Sequence, residues 1–276
     1  MGFFNANYKN RNEVMDKIQI KEPKYIARRQ DTPLGRIYIQ VDTDTGELIE
    51  DKYSYSSTTI LNVIDKGVGF LKYYSQGWEK AQQHSNYRAW IGTMTHDFIE
   101  KLLLGEKLNL GKPVSIYEEY ANTDIKITES VPFEVDDRVR AFVDWWNTLK
   151  SPEIIAVELL LFHPQHYCAG TLDLLIRVDN KVMLVDFKTG KKYEKTQSIQ
   201  LTYYKNLVEK IYKIKVDELA CLFLTDKGKY KYEIMNYEPE IAEITYHLFR
   251  YKNSTFKTQK MPTIKLAEET SRIFKL

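Results

Sequence analysis

The spacing of hydrophobic and polar residues divides the chain into strands and helices. Period-two alternation predicts a strand at 36–41, and the turn residues 42–46 allow 47–55 to return as its hairpin partner. Apolar residues at helical spacing predict helices; the main ones cover 81–104, a segment after Pro132, 194–210, and a segment that begins at Pro239. Near-continuous apolar runs predict buried strands; they lie at 153–162, in two parts of 168–190, and at 217–225.

These elements predict an α/β fold in which a mixed central β-sheet is flanked by helices, with N-terminal helices arching over the site. A length of 276 residues suits one large domain with elaborations. We expect residues 1–35 to form an N-terminal arm and 257–276 to form a C-terminal tail. Residues 36–256 would form the domain itself, including an N-terminal hairpin and a helical elaboration.

Composition and charge exclude several classes of protein. The 43% hydrophobic and 28% charged residues are ordinary for a globular protein. A net charge of +2 argues against a globally basic surface for nucleic acid, although a local groove can still be basic. Two cysteines are too few for a disulfide framework or an all-cysteine metal cluster. Without a signal peptide or an apolar run of transmembrane length, the expected location is the cytoplasm and no membrane contact is expected.

Three carboxylates, Glu158, Asp173 and Asp186, lie inside otherwise apolar strand-like runs. Side chains alternate across a strand, so Asp186 and Lys188 point to the same face. If the two strands of 168–190 pair as a hairpin, Asp173 and Asp186 converge near one end, and Glu158 can join them from a further strand. Three carboxylates and a lysine would then meet at the edge of a mostly apolar sheet.

Such a cluster is costly as bare anions, because burial and neighbouring like charges both disfavour ionised carboxylates. A hard divalent cation removes this cost, and carboxylate oxygens suit Mg²⁺ or Mn²⁺. A bound metal of this kind supplies a nucleophilic water and draws charge from a phosphoryl oxygen. Lys188 would either orient or deprotonate that water or screen the phosphate, and the sequence leaves both roles open. A structural Asp–Lys pair at a strand end would explain Asp-x-Lys alone, but it explains the four charged residues together less well.

Three other stretches allow both a structural and a functional interpretation. Serines and threonines at 56–59 precede an apolar run, a pattern that caps a helix and also suits a phosphate. His96 shares a helix face with Gly92, a position where a histidine is more often a hydrogen-bonded boundary residue than a ligand. Gln200 and Tyr204 share one face of the helix that follows the central strands.

These separated motifs resemble, in the same order, those of the PD-(D/E)XK nuclease superfamily and, within it, the RecB-type exonuclease domains. Asp173 in G-T-L-D resembles the first metal-binding aspartate of the family, and the segment D-F-K-T-G that begins at Asp186 resembles its (D/E)-x-K strand. The segment 200–204 is similar to the Q-x-x-x-Y helix. Glu158 is similar to the acidic residue on the preceding strand.

The resemblance extends upstream, so that it covers about residues 36–210. The segment 92–96 is similar to a G-x-x-x-H helix whose histidine is a metal ligand in these relatives. The segment 57–61 resembles the P-S-V-T-T-I-L segment of phage-encoded and mitochondrial genome-maintenance exonucleases, with Ser56 in place of the proline. Ile91 replaces the basic residue that many relatives carry, a contact that Arg88 can supply one helical turn away. The iron–sulfur cysteines of some relatives are absent, so no iron–sulfur cluster is implied.

The resemblance implies a restriction-endonuclease-like core and a role for each matching residue. One or two Mg²⁺ or Mn²⁺ ions would be bound by His96, Asp173, Asp186 and the backbone carbonyl of Phe187. The catalytic set implied is Glu158, Asp173, Asp186, Lys188, Gln200 and Tyr204. The set implied to contact DNA is Ser57, Thr59, Arg88, Gln200 and Tyr204. For Tyr204, a packed helix tyrosine is an equal alternative.

The function that the resemblance implies is a metal-dependent DNA exonuclease of replication, recombination or repair, acting on single strands or strand ends. The low net charge favours a narrow groove, in which Tyr73, Tyr74 and Trp78 could stack bases, although core packing is the more usual role of such residues. The alternatives are a structure-specific or sequence-specific endonuclease of the same fold and a non-catalytic nucleic-acid-binding module. A helicase, recombinase or single-strand-binding protein is a possible partner, and a phage-encoded protein would work in the host cytoplasm.

Overall fold

The computed structural model describes residues 17–65, 75, 77–106, 131–190 and 194–254. The predicted C-terminal tail and residues 1–16 of the predicted N-terminal arm lie outside these residues. Tyr73 and Tyr74 lie outside them as well, together with the part of the predicted helical arch that contains them.

Eight strands and five helices are formed by the described residues. The strands are β1 (Ala27–Thr32), β2 (Gly35–Val41), β3 (Leu48–Ser56), β4 (Glu153–Leu161), β5 (Cys168–Val178), β6 (Lys181–Lys188), β7 (Glu218–Leu224) and β8 (Tyr230–Ile234). The helices are α1 (Ser57–Leu61), α2 (Trp78–Leu103), α3 (Val131–Trp146), α4 (Glu194–Tyr212) and α5 (Pro239–Lys252). None of the helices in these stretches is long and apolar enough to cross a membrane.

The strands form one mixed sheet in the order β1-β2-β3-β5-β6-β7-β8, and β4 pairs with β5 off that path. The β3–β5 and β6–β7 pairs are parallel, and the other neighbours are antiparallel. Apolar side chains of α1, α4 and α5 pack on one face of the central strands, and those of α2 and α3 pack on the other. This arrangement confirms the predicted α/β class with a mixed sheet flanked by helices.

Alternation along β6 decides which side chains face each helical layer. Leu184 packs with the α4 layer, whereas Val185 and Phe187 pack with α2 and α3. Because neighbours along a strand point to opposite faces, Asp186 and Lys188 point toward the α4 side. The sequence pattern predicts the same division of these side chains.

The N-terminal hairpin joins the central sheet where the polar residues gather. Strand β3 runs parallel to the start of β5 through the pairs Tyr55↔Cys168 and Ser56↔Ala169. Strand β1 adds to the outer edge of β2, although its residues fall within the predicted arm. The segment A-R-R-Q-D-T has no apolar alternation that would indicate a strand. An edge strand needs only backbone pairing on one side, and its charged side chains discourage pairing with a further strand.

Candidate active site

Glu158, Asp173 and Asp186 lie in one row across three neighbouring strands. The β5–β6 ladder ends at the pair Leu174↔Val185, and the next pair in that register would be Asp173 with Asp186. In the β4–β5 register, Glu158 stands opposite Asp173 but is not paired with it. The three carboxylates therefore gather where β6 stops pairing with β5, and the convergence that the sequence predicts is present.

The backbone of Glu158 explains why it leaves the ladder. Its φ of 44° lies in the left-handed region, which is unfavourable for a residue with a Cβ atom. The residues on either side, Val157 and Leu159, remain paired with β5. A conformation of this kind persists only where the surroundings impose it, and such residues are concentrated at functional sites.

Helix α2 brings His96 to two of the three carboxylates. His96 Nδ1 lies 3.6 Å from Glu158 Oε1 and 3.5 Å from Asp173 Oδ1. One ligand atom from each of these three residues lies within 4.8 Å of the others, a spacing that could hold a metal ion. Glu158 Oε1 is buried and has no hydrogen-bond partner among the described residues. An orphaned carboxylate oxygen beside an imidazole fits a divalent cation with hard oxygen and nitrogen ligands.

The charged groups of this site shift one another's pKa. Burial alone would lower the pKa of His96, but Asp173 and Glu158 outweigh it and raise that pKa well above the ordinary value. Burial raises the pKa of Glu158 to about 7 despite His96. Burial opposes ionisation of Asp173 as well, yet His96, Lys188 and a backbone N–H lower its pKa. The site therefore holds Asp173 as the most stable anion.

Asp186 has a different neighbour from Asp173, because it pairs with the side-chain amine of Lys188 on the same strand. Lys188 Nζ forms an ion pair with Asp186 Oδ2. The pKa of Asp186 is raised chiefly by burial, with Lys188 opposing and Asp173 adding to the shift. Burial would lower the pKa of Lys188, but Asp186 and Asp173 raise it above the ordinary lysine value. In this structure Lys188 is an ammonium, which favours orienting a water or screening a phosphate over taking a proton.

A chain of hydrogen bonds leads from Lys188 to helix α1. Lys188 Nζ donates to Gln200 Oε1 at 3.2 Å, and Gln200 Nε2 donates to the Tyr204 hydroxyl at 3.2 Å. That hydroxyl lies 3.1 Å from Ser57 Oγ. Gln200 and Tyr204 therefore fix the amine end of the site, and α4 presents both from one face as predicted.

Two glycines let these elements approach closely. A Cβ atom at Gly170 would overlap the hydroxyl and ring of Tyr204. A Cβ atom at Gly92 would lie 3.2 Å from Thr189 Oγ1, tighter than ordinary contact. The glycine that precedes His96 by four residues therefore lets α2 pass close to the end of β6.

The predicted DNA-contacting residues at the start of α1 and on α2 have different surroundings. Ser57 lines the cavity of the site, but Thr59 does not, because its hydroxyl donates to the carbonyl oxygen of Arg36 at 2.9 Å. Arg88 lies outside the cavity and is paired with Glu134 at 3.0 Å. Trp78 opens α2 and is 67% exposed. The roles of these residues in DNA binding stay predictions.

The cavity also contains Arg36 and Tyr38, which no motif of the sequence indicates. It is lined by Arg36, Tyr38, Ser56, Ser57, Thr58, His96, Gly170, Thr171, Asp173, Asp186, Lys188, Gln200 and Tyr204. Arg36 and Tyr38 come from β2, and Thr58 is the exposed threonine at the start of α1. The available signal was weak, because the alternation of 36–41 indicates a strand but not which sheet edge that strand reaches.

The cluster differs in one respect from the ligand set that the resemblance implies. His96 and Asp173 belong to both sets, whereas the structure groups Glu158 with them and ties Asp186 to Lys188. The N–H of Phe187 donates to Asp173 at 2.6 Å. The metal-ligating role of the Phe187 carbonyl stays a prediction.

Comparison with known proteins gives one family. A family model described as the PD-(D/E)XK nuclease superfamily matches residues 69–265. No curated protein is a detectable relative of the chain. One solved structure, "Crystal structure of SSO0001", is 13% identical over 62% of this chain and 87% of its own, with a TM-score of 0.27. A similarity at that level carries no argument about the site.

Proposed function

Because the chain belongs to the PD-(D/E)XK nuclease superfamily, we propose that it is a Mg²⁺- or Mn²⁺-dependent exonuclease that hydrolyses phosphodiester bonds of DNA. The observation that carries the proposal is the cluster of His96, Glu158 and Asp173, with the Asp186–Lys188 pair beside it. Family membership supports a hydrolase that acts on nucleic acid. The choice of metal, of DNA and of strand ends is our proposal.

The metal would be held by His96, Glu158 and Asp173, with Asp186 as a further carboxylate in the cavity that His96 and Asp173 line. Such an ion, when bound, stabilises charge on a phosphoryl oxygen and makes a water more acidic. Glu158 Oε1 supports this assignment, because it is buried without a hydrogen bond, with His96 Nδ1 at 3.6 Å, and such a carboxylate oxygen is costly.

The remaining residues of the site would position the reactants. The Lys188 ammonium would hold a phosphate oxygen or the attacking water, and Gln200 would keep the amine in place through its 3.2 Å hydrogen bond. The Tyr204 hydroxyl would keep Gln200 in place by accepting its hydrogen bond, and it would connect Gln200 to Ser57. A fixed donor of this kind costs no reorganisation during the reaction, which is the main advantage of a preorganised site.

A single strand or a strand end is the substrate form that the cavity favours. Among the described residues that line it, Arg36 and Lys188 supply the only lysine and arginine side chains. A duplex-binding face usually carries many more phosphate contacts. We propose a role in DNA replication, recombination or repair.

The decisive experiment is digestion of a labelled single-stranded DNA with Mg²⁺, Mn²⁺ or EDTA, run beside the Asp186→Ala variant. We expect stepwise shortening with either metal, no product in EDTA, and loss of activity in the variant. Labels at the 5′ end and at the 3′ end in separate reactions give the polarity. Equal activity of Asp186→Ala and the wild type would overturn the site assignment.

Covalently closed single-stranded circles separate the exonuclease from an endonuclease of the same fold. An exonuclease needs an end and leaves circles intact, so efficient cutting of circles would replace our proposal with the endonuclease. A third possibility, a non-catalytic binding module, predicts binding of the labelled strand without products under any metal.

A further inference from the structure

We propose that Arg36 binds a backbone phosphate of the nucleic acid, so that the N-terminal hairpin forms one wall of the active site; this inference rests on the proposed nuclease function. Arg36 lies on β2 and lines the same cavity as His96, Asp173 and Lys188. The family match begins at residue 69, so this wall belongs to the part of the chain outside the match.

The position of Arg36 is fixed by the elements around it. Its carbonyl oxygen accepts a hydrogen bond from Thr59 Oγ1 at 2.9 Å, which ties β2 to α1. A Cβ atom at Gly35 would overlap the Thr59 side chain, so the glycine permits that contact. Helix α1 is tied in turn to the active site through Ser57 and Tyr204. These contacts fix the backbone of Arg36, so its side chain starts from a defined position in the cavity wall.

The charge of Arg36 is available to a ligand. Its neighbour is Asp31, with 3.6 Å between Nε and Oδ1, and the Asp31 side chain is 70% exposed. An exposed ion pair of this kind contributes little, because water screens it and ordering the side chains opposes it. Arg36 Nε is buried and has no hydrogen-bond partner among the described residues. The Arg36 side chain as a whole is 37% exposed and lines the cavity, so its guanidinium can contact a ligand there. Lys188, in the same cavity, is already bound to Asp186 and Gln200.

The chemistry of the cavity indicates a phosphodiester as the ligand of Arg36. Asp173, Asp186 and His96 form a cation-binding part of the cavity, and Arg36 with the exposed Thr58 forms a second part that donates hydrogen bonds. A guanidinium presents its N–H groups in a fork that matches two phosphate oxygens, which a lysine cannot do. A strand whose scissile phosphate lies at the carboxylates would place a further phosphate along the wall that Arg36 lines.

The test compares Arg36→Ala with Arg28→Ala. Arg28 is exposed on β1, the strand next to β2, and its register partner is Ile39, so its side chain points to the face opposite Arg36 and Tyr38. Binding of a fluorescein-labelled single-stranded DNA is measured by anisotropy in EDTA at several salt concentrations. KM and kcat for the same strand are measured with Mn²⁺.

We expect Arg36→Ala to weaken binding and raise KM by about tenfold, the effect of one charge-assisted hydrogen-bonded contact, with kcat nearly unchanged. The slope of log K against log salt should become shallower by about 0.7, since one phosphate contact is lost from a single strand. Arg36→Lys should restore the salt slope but only part of the affinity. Arg28→Ala should match the wild type in all these quantities.

The outcomes separate this inference from the proposed function. If the wild type degrades DNA and Arg36→Ala binds with unchanged affinity and salt slope, the inference is wrong and the nuclease assignment stands. A fall in kcat at constant KM would also overturn it, because it would indicate a role in shaping the site and not in holding substrate. If the wild type cuts no strand but loses binding in Arg36→Ala, the phosphate contact is supported and the proposed activity fails.

Discussion

The carboxylate of Asp173 accepts a hydrogen bond from the backbone N–H of Phe187, with 2.6 Å between Oδ2 and N. This bond crosses the point where β5 and β6 stop pairing, so it replaces the next step of the ladder. It leaves Asp173 Oδ1 directed to His96 at 3.5 Å. One carboxylate thus holds the two strands together at their fork and presents its other oxygen to the candidate metal site.

We expect Asp173→Asn to lose metal binding while keeping the fold. The amide oxygen can still accept from the Phe187 N–H, but the negative charge beside His96 is gone. The affinity for Mn²⁺, measured by titration calorimetry, should fall at least about tenfold, the lower end of what loss of a supporting group costs a metal site. Nuclease activity should fall with it.

Asp217→Asn is the matched control for that variant. Asp217 also accepts from a backbone N–H of β6, that of Val182 at 3.0 Å, but it does not line the cavity. It should bind Mn²⁺ and cut DNA like the wild type. Unchanged Mn²⁺ affinity in Asp173→Asn would remove Asp173 from the metal site.

The sequence predicts the charged residues where β5 and β6 separate better than it predicts which distant segments join them. Alternation along a strand and the cost of burying a charge are local properties. They predict that Asp186 and Lys188 share one face of a strand and that Asp173 lies near Asp186 on the neighbouring strand. His96 is 77 residues before Asp173, and no local pattern states that α2 crosses that edge of the sheet; only the resemblance indicates it as a ligand. The pairing of β3 with β5 is equally non-local.

The N-terminal strands show most clearly what the sequence alone does not predict. Strand β1 is polar and is recognised only through its pairing with β2, so its sequence resembles a loose arm. Arg36 reaches the cavity because β3 joins β5 and α1 then packs against Tyr204. Each of those steps depends on tertiary contacts, which composition and periodicity do not contain.

Lys188→Met should destabilise the protein without metal, and metal should reduce the deficit. The substitution leaves Asp186, which is 4% exposed, without its ammonium partner. Breaking a buried ion pair is costly because one charge stays uncompensated; we expect a loss of about 2–3 kcal/mol in the free energy of unfolding, since Lys188 is partly exposed. Urea unfolding in EDTA and with Mn²⁺ measures both effects.

The double variant Asp186→Asn with Lys188→Met checks that explanation. Removing both charges should recover part of the stability, because no buried charge is left without a partner. If the double variant is less stable than Lys188→Met by the full effect of Asp186→Asn measured alone, the two residues do not interact and the pair is not what stabilises this strand end.

Gly170→Ala should destabilise the protein through Tyr204. The added methyl group would overlap the Tyr204 hydroxyl and ring, so the helix or the strand must shift. Overpacking of a buried position costs about 1–3 kcal/mol. The Gln200 contact with Tyr204 should be disturbed as well, so activity should fall with stability. Gly190→Ala is the control, since a Cβ atom there meets no atom within 4 Å, and a deficit equal in both variants would contradict the steric explanation.

His166 should make the fold less stable in mild acid. Burial lowers the pKa of the His166 ring to about 4, against the backbone contact with Cys168, which raises it; the Cys168 carbonyl oxygen lies 3.2 Å from Nδ1.

The unfolded chain takes up a proton at His166 near pH 6.5, whereas the folded chain does so only near pH 4. The free energy of unfolding therefore falls as the pH drops from about 6.5 toward 4. His166 should contribute about 1–2 kcal/mol of the loss between pH 7 and 5. His166→Gln, compared with the wild type by urea unfolding at both pH values, should lose less stability on acidification by that amount. His247→Gln, at a ring whose side chain is 66% exposed on α5, should lose as much as the wild type. An equal acid-induced loss in His166→Gln and the wild type would show that His166 is not the group that titrates.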